Sequence, residues 1–295
     1  MKVLVTGANG QLGHDVLLEL RKRGLEGIGS DIHPEGMDGF EYVPMDITNK
    51  DMVNDVIERV NPDAVIHCAA WTAVDAAEDN CSLVMKINGE GTENIAEACK
   101  QIDCRMMYIS TDYVFSGNGT TPWKPDDKQF APLNVYGESK LAGEIAVVRN
   151  MKEFFIVRIA WVFGKNGNNF IKTMLRLGKT HSQLRVVNDQ VGTPTYTVDL
   201  ARLLVDMIQT TKYGYYHATN SGGYISWCDF AVEIFKQAGM NVEVVPVTTK
   251  EYGLSKAKRP FNSRLDKSKL TENGFEMLPD WKNALARYLG EMKSV

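Results

Sequence analysis

Gly7, Gly10 and Gly13 stand at three-residue intervals directly after the apolar run Lys2–Thr6. The order is a short strand, a glycine turn, and then Gln11–Arg23, whose apolar spacing predicts a helix ending at Gly24. A strand that feeds a helix this directly needs a crossover before it can pair, which makes its next strand neighbour a parallel one. The same rhythm continues through the first half of the chain. Gly27–Ser30, Ala64–His67, Arg105–Ser110 and Phe155–Ile159 read as strands, and Asp51–Val60, Leu83–Lys100 and Tyr136–Val148 as helices.

This alternation predicts an α/β fold, a Rossmann-type doubly wound parallel sheet covered on both faces. Beyond about residue 165 the segments become less regular and richer in proline and glycine, with candidate helices at Phe170–Leu177, Thr197–Gln209, Trp227–Ala238 and Trp281–Met292. We therefore expect residues 1–165 to form a dinucleotide-binding domain that carries the catalytic groups. Residues 166–295 are expected to form mainly a smaller substrate-binding lobe, with interleaved segments returning to the sheet.

Bulk properties narrow the function. The 295 residues carry a formal net charge of −4, against the positive field that sequence-independent nucleic-acid binding needs. No apolar run approaches the roughly 18 residues of a membrane span, and the N-terminus lacks the apolar stretch of a secretory signal. The five cysteines form no CxxC pair, which fits reduced thiols and a cytoplasmic location. The histidines are scattered, and no cluster has metal-ligand spacing, so no catalytic metal is expected.

The segment Gly7-Ala-Asn-Gly10-Gln11-Leu12-Gly13 lies where a dinucleotide loop must lie, between a strand and a helix N-terminus. There the glycines let the backbone approach a pyrophosphate, and the helix end stabilises its charge. Asp31, at the end of the second strand, is placed to bind the adenosine ribose. An acid at this position favours NADH over NADPH, although His33 nearby could soften its repulsion of a 2′-phosphate, so both cofactors stay open. Asp46-Ile47 would border the adenine, with helix capping an equal alternative for Asp46. Ala69-Ala70-Trp71 would let the cofactor backbone pass.

Tyr136 and Lys140 are four residues apart on a helix and so share one face. A phenol has a pKa of about 10, and a neighbouring ammonium lowers it, so the pair is expected to act as a tuned proton donor and acceptor. Thr111, in Ser110-Thr111-Asp112-Tyr113, closes a strand and would project into the ligand crevice beyond the sheet's carboxyl edge. Taken alone, Ser-Thr-Asp also suits a turn or cap.

Together these motifs resemble the extended short-chain dehydrogenase/reductase family, and within it the dTDP-4-dehydrorhamnose reductases. The similar strings are Gly10-Gln-Leu-Gly13, Ala69-Ala-Trp-Thr-Ala-Val-Asp75, Ser110-Thr-Asp-Tyr-Val-Phe115, Trp161-Val-Phe-Gly164, Asn168-Asn-Phe170, Asp189-Gln-x-Gly-x-Pro-Thr195 and Arg259-Pro-x-Asn-Ser263, spread over nearly the whole chain. The resemblance implies a dTDP-sugar substrate. It makes Tyr136 the proton donor to the sugar 4-keto oxygen and Lys140 the holder of the nicotinamide ribose, and has Lys140 lower the Tyr136 pKa. It places Thr111 on the reacting oxygen, Asp112 on a sugar hydroxyl and Trp161 against the deoxysugar. Related dehydratases carry an acid after the Thr-Asp pair; Tyr113 stands there and argues against dehydration.

Arg259, in the basic stretch Lys256–Arg264, would pair with the substrate diphosphate, the alternative being a solvated loop. Asn169 could contact substrate while also capping a helix, and Gln190 and Thr193 could border the same pocket. Trp71, Trp123, Trp227 and Trp281 read more simply as packing residues, although Trp71 follows a cofactor-facing strand. Some similar reductases are magnesium-linked dimers. Asp15 stands where one such acid could, but no complete ligand set is readable, which leaves magnesium, and monomer or homodimer, open. Two other readings remain: a reductase of another nucleotide-linked keto-deoxysugar, and a non-catalytic NADP-binding subunit resembling the regulatory subunit of methionine adenosyltransferase.

Overall fold

The computed structural model describes residues 1–293. Seven strands, β1 (Lys2–Thr6), β2 (Glu26–Ser30), β3 (Glu41–Tyr42), β4 (Ala64–His67), β5 (Arg105–Thr111), β6 (Phe154–Ile159) and β7 (Gly214–His217), form one sheet in the order β7-β6-β5-β4-β1-β2-β3. Every pairing is parallel. Val3, Leu4, Val5, Ala64, Val65 and Ile66 are fully buried, as expected for central strands covered on both faces. The strand order reverses between β1 and β4, so a crevice opens beyond their carboxyl ends.

Two apolar layers cover the sheet. On one face, Leu12, Val16, Leu17 and Leu20 of the helix Gln11–Lys22 pack with Leu200, Leu203 and Leu204 of the helix Thr197–Ile208. On the other, the helices Lys50–Val60, Gly91–Gln101 and Val135–Asn150 supply Val53, Val56, Ile57, Ile95, Cys99 and Val147. A third cluster joins Phe163 and Tyr196 to Phe230, Trp281 and Tyr288 of the C-terminal half. No helix among the described residues is long and apolar enough to cross a membrane.

The structure departs from the sequence reading at several elements, two of them in the sheet domain. The expected helix Leu83–Lys100 starts at Cys81 and contains a π turn, Lys86–Glu90, before continuing as Gly91–Gln101. The extra residue in that turn brings Asn88 inward, to 1% exposure, where it serves the site described below. The seventh strand, β7, lies far along the chain and returns to the sheet edge beside β6. Its Gly-Tyr-Tyr-His sequence is short and aromatic, without the aliphatic run that marks the inner strands.

Candidate active site

A cleft of about 740 Å³ runs along the carboxyl edge of the sheet. Gly7, Gly10, Gln11, Leu12, Gly13, Asp31, Asp46, Ile47, Ala69, Ala70 and Trp71 line it, together with Thr111, Asp112, Tyr136, Lys140 and Trp161. Residues chosen from motifs between positions 7 and 161 therefore meet in one place.

The glycine end is shaped for a dinucleotide. Gly7 has φ +67°, and a Cβ there would lie 2.6 Å from the Ala69 nitrogen. A Cβ on Gly13 would strike the Gly7 carbonyl, so Gly13 lets the helix seat against the loop. The helix Gln11–Lys22 has no side-chain cap at Gly10 and no acid in its first turn. Its N-terminal donors thus face the cleft unneutralised, an arrangement suited to an anion. Ser30 Oγ is buried at the cleft wall without a partner, and polar atoms buried this way call for one from a ligand or solvent. Asp31 receives the backbone N–H groups of Ile32 at 2.8 Å and Asn9 at 3.2 Å, which fix its carboxylate at the end of β2. Asp46 folds back to accept from the Thr48 backbone and hydroxyl, both at 2.9 Å, while the helix cap itself is Asn49. These features fit a nicotinamide dinucleotide with its pyrophosphate at the glycine loop.

The reactive end is built from β5 and the helix Val135–Asn150. Asn134 caps this helix by accepting from Gly137 N at 2.8 Å. Gly143 lets the helix approach both Tyr108 of β5 and the π turn, since a Cβ there would lie 2.7 Å from the Tyr108 ring and from the Asn88 carbonyl. Asn88 ties three segments together: it accepts from Trp71 N at 2.8 Å and donates to Trp71 O at 3.1 Å and Ser139 Oγ at 2.9 Å. Sequence reasoning missed this residue. The available signal was an asparagine inside a helical stretch, a position where asparagine is poorly favoured.

Thr111 Oγ1 donates to Asp112 Oδ1 at 3.1 Å and is also within hydrogen-bonding reach of the Tyr136 phenol. The Tyr136 ring packs edge-on against Tyr113, with centroids 5.5 Å apart. Asp112 Oδ2 is buried without a partner, and burial pushes this carboxyl up to about 6 against the hydrogen bonds from Ser263 and Thr111. A buried acceptor facing the cleft suits a substrate hydroxyl.

Lys140 Nζ donates to the Ile109 carbonyl at 2.7 Å and lies 4.1 Å from the Tyr108 ring centroid. Burial brings its pKa down to about 7, opposed chiefly by the Glu144 carboxylate. The expectation that Lys140 lowers the Tyr136 pKa is corrected. Burial raises the phenol above its ordinary value, Asp112 and Tyr113 add to this, and only the Thr111 hydroxyl pulls the other way. The ammonium is turned to a backbone carbonyl, and Tyr136 is a neutral, proton-bearing acid throughout the ordinary pH range.

At the substrate end, Trp161 lines the cleft and holds φ +51°, unusual for a bulky side chain. Its ring stacks on Trp227, centroid to centroid 3.7 Å, and Trp227 packs on Phe170 at 4.6 Å. Trp227, expected to be only a packing residue, therefore also faces the cleft. Asn169 does not. Its amide donates to Gln11 Oε1, Gly164 O and Tyr288 Oη, and its oxygen caps the next helix at Lys172 N, leaving no group for substrate. Gln190 and Thr193 also lie off the cleft, bonded to Thr249 and to the Gly223 carbonyl.

Arg259 is not a cleft-lining side chain either. It pairs with Asp75 at 2.7 Å and donates to Tyr113 Oη at 3.3 Å. Asp75 also accepts from the backbone of Lys256 and Ala257, so one acid anchors the whole basic segment beside the cleft. Neither Asp75 nor Tyr113 was assigned this role from the sequence, because their partner is 146 or more positions away.

Asp15 is 6% exposed, lies 3.2 Å from His14 and leaves Oδ2 without a partner. Among the described residues, no group of three or more His, Cys, Asp or Glu side chains is arranged to hold a metal ion.

The family model of the RmlD substrate binding domain matches residues 1–294. The spore coat polysaccharide biosynthesis protein SpsK of Bacillus subtilis is 39% identical, over 99% of this chain and 98% of that protein. A dTDP-4-dehydrorhamnose reductase of Shigella flexneri is 38% identical over the same shares. A crystal structure of dTDP-4-dehydrorhamnose reductase from Bacillus anthracis in complex with NADP superposes with a TM-score of 0.91 and 42% identity, covering 99% of this chain and all of that one.

Proposed function

The chain belongs to the RmlD substrate binding domain family, which is that of the dTDP-4-dehydrorhamnose reductases, and on this premise we propose that it reduces the 4-keto group of dTDP-4-dehydro-L-rhamnose to give dTDP-L-rhamnose, using NADH or NADPH. The observation that carries the reading is the convergence of the Thr111 and Tyr136 hydroxyls, one helical turn from Lys140, at the end of a cleft whose other end is the glycine loop.

When bound, the reduced nicotinamide supplies a hydride to the carbonyl carbon. Negative charge then develops on the keto oxygen, and Thr111 and Tyr136 are the donors aimed at it. Tyr136 delivers its proton, a transfer suited to a phenol kept neutral by burial. Lys140 would hold the nicotinamide ribose and balance the phenolate left behind. Gly7, Gly10 and Gly13 would receive the pyrophosphate, Asp31 the adenosine ribose, and Ala69, Ala70 and Trp71 the passing backbone. The partnerless Asp112 oxygen would accept a sugar hydroxyl, the Trp161–Trp227 stack would flank the deoxysugar, and Arg259 would meet the diphosphate after leaving Asp75. We place the reaction in the cytoplasm, where nucleotide sugars and reduced cofactors are available.

The test is cofactor oxidation with dTDP-4-dehydro-L-rhamnose and NADH or NADPH, followed by product identification. Turnover to dTDP-L-rhamnose supports the proposal. Preference for another keto sugar would replace the substrate. Cofactor binding without reduction of any keto sugar, with co-purification of a methionine adenosyltransferase, would replace catalysis with the regulatory role.

A further inference from the structure

The sheet contains a fully buried charge that the proposed reaction does not use. Arg158, on β6, is 0% exposed, and Glu144, on the catalytic helix, is 1% exposed. The guanidinium grips the carboxylate with both arms: Nε donates to Oε1 and Nη2 to Oε2, each at 2.8 Å. Nη1 donates to the Pro125 carbonyl at 2.9 Å, and the guanidinium lies 4.9 Å from the Phe115 ring and 4.7 Å from the Tyr215 ring.

The placement of this pair links it to the reactive groups. Tyr136, Lys140 and Glu144 follow one another at four-residue steps along one helix face. Three consecutive residues of β5 engage the same three positions. Thr111 reaches Tyr136, the Ile109 carbonyl accepts from Lys140 at 2.7 Å, and Ser110 Oγ donates to Glu144 Oε1 at 2.6 Å. Glu144 is thus the third rung of a ladder whose first two are the acid and the lysine. A buried ion pair is weak evidence for stability, because apolar residues of similar volume often serve as well or better. The pair does have two effects that an apolar pair lacks: it fixes the rotation of the helix against β5 and β6, and it sets an anion one turn behind Lys140.

We propose that Glu144 is a positioning residue of the reaction, held by Arg158 and Ser110 so that it keeps Lys140 protonated and in register with Tyr136 and Thr111. The proposal rests on the reductase reading. The groups facing Glu144 are Ser110 and Tyr108 from β5, Arg158 from β6, Tyr215 from β7 and Lys140 on its own helix, with His217 of β7 on the far side of Arg158; His67 of β4 and Cys68 just after it act on Lys140 itself. His217 is held neutral by burial and by Arg158, so Arg158 and Lys140 are the cations among them. Burial draws the Lys140 pKa down, and Glu144 is the largest influence in the opposite direction. Removing the carboxylate charge moves loss of the ammonium to lower pH.

The test is Glu144→Gln, with the double variant E144Q/R158Q. The single variant leaves Arg158 buried and unpaired and could lose its fold on that ground alone; the double variant keeps hydrogen-bonding groups and removes both charges. Thermal unfolding tests whether each variant is folded. The pH profile of NADH and NADPH affinity then reads Lys140 without needing turnover, and kcat is measured on dTDP-4-dehydro-L-rhamnose. We expect the alkaline limb of cofactor binding and of kcat to move to lower pH by about one unit, and kcat at pH values above the wild-type limb to fall about tenfold. Glu144→Asp, which keeps the charge, should restore the limb at least in part. A folded double variant with wild-type limbs and wild-type kcat overturns the proposal and leaves Glu144 a packing residue. If the wild-type protein binds cofactor but reduces no keto sugar, the reductase reading fails, and the binding profile still decides whether Glu144 controls Lys140.

Discussion

Tyr136→Phe removes one oxygen from the centre of the proposed chemistry, and the structure separates its catalytic effect from its structural one. The lost hydroxyl interacts with Thr111, which keeps its bond to Asp112 at 3.1 Å. The ring remains and keeps its edge-on packing against Tyr113 at 5.5 Å. Losing one hydrogen bond whose partner stays satisfied costs about 1 kcal/mol or less, so thermal unfolding should shift by no more than about 4 °C for a chain of this size. Removing a general acid costs about 10²–10⁴ in rate, or roughly 3–5 kcal/mol at 1.36 kcal/mol per tenfold. The Thr111 donor remains and sets the residual rate. Because burial holds the wild-type phenol above its ordinary pKa, it is fully protonated from pH 6 to 9 and the loss should be uniform over that range. The assay is steady-state cofactor oxidation with dTDP-4-dehydro-L-rhamnose, alongside cofactor affinity by fluorescence. A kcat within about threefold of wild type would refute the assignment, as would a defect confined to KM.

Three further outcomes follow from other parts of the cleft. Burial lowers Lys140 to about 7, so above that pH the free protein has lost much of this ammonium, and an anionic cofactor that needs it must restore the proton. Calorimetric titration at pH 8 should show proton uptake, seen as a binding enthalpy that varies with the buffer's ionisation enthalpy; at pH 6 the group is already charged and the variation should vanish, and equal enthalpies across buffers at pH 8 would oppose the argument. Gly13→Ala should cost most of the cofactor affinity, because the added Cβ meets the Gly7 carbonyl and moves the helix away from the loop; unchanged affinity for NADH and NADPH would oppose it. Arg259→Ala should raise the KM for the nucleotide sugar about 10- to 100-fold, the worth of a charge-assisted bond, whereas Asp75→Asn, which frees Arg259, should leave that KM unchanged or lower it; a loss of stability with no change in KM would remove Arg259 from the substrate site.

The fold was readable where the signals are local. Lys2–Thr6 and Ala64–His67 have the same bounds in sequence and structure, because a parallel strand buried on both faces is a continuous apolar run with punctuated ends. The helix Trp227–Ala238 likewise matches at both ends, marked by the Ser226–Asp229 capping box and by Gly239 in the left-handed conformation. The π turn at Lys86–Glu90 leaves the helical pattern almost unchanged and so stayed hidden. β7 was expected only as an unspecified return to the sheet; its pairing with β6 depends on a partner nearly 60 residues earlier, which no local pattern records.

The placement of cleft residues and their electrostatics were readable to different degrees, and the difference has a physical cause. Loop, strand-end and helix-start motifs place a residue through the backbone, so the glycine loop, Asp31, Ala69, Thr111 and Tyr136 all arrived in the cleft. A charge is set by everything packed around it, most of it distant in sequence. The spacing of Tyr136 and Lys140 suggested a phenol acidified by its neighbour. In the folded chain the ammonium faces the Ile109 carbonyl and is itself weakened by burial, while the phenol gains protonation from the same enclosure. The enclosure changes which direction of reaction the free site is prepared for. A phenol held neutral and a second hydroxyl beside it are both loaded to give hydrogen bonds to a developing alkoxide, which is the requirement of carbonyl reduction. Alcohol oxidation needs Tyr136 as a base, and so needs positive charge, from Lys140 and an oxidised nicotinamide, to lower its pKa within the complex.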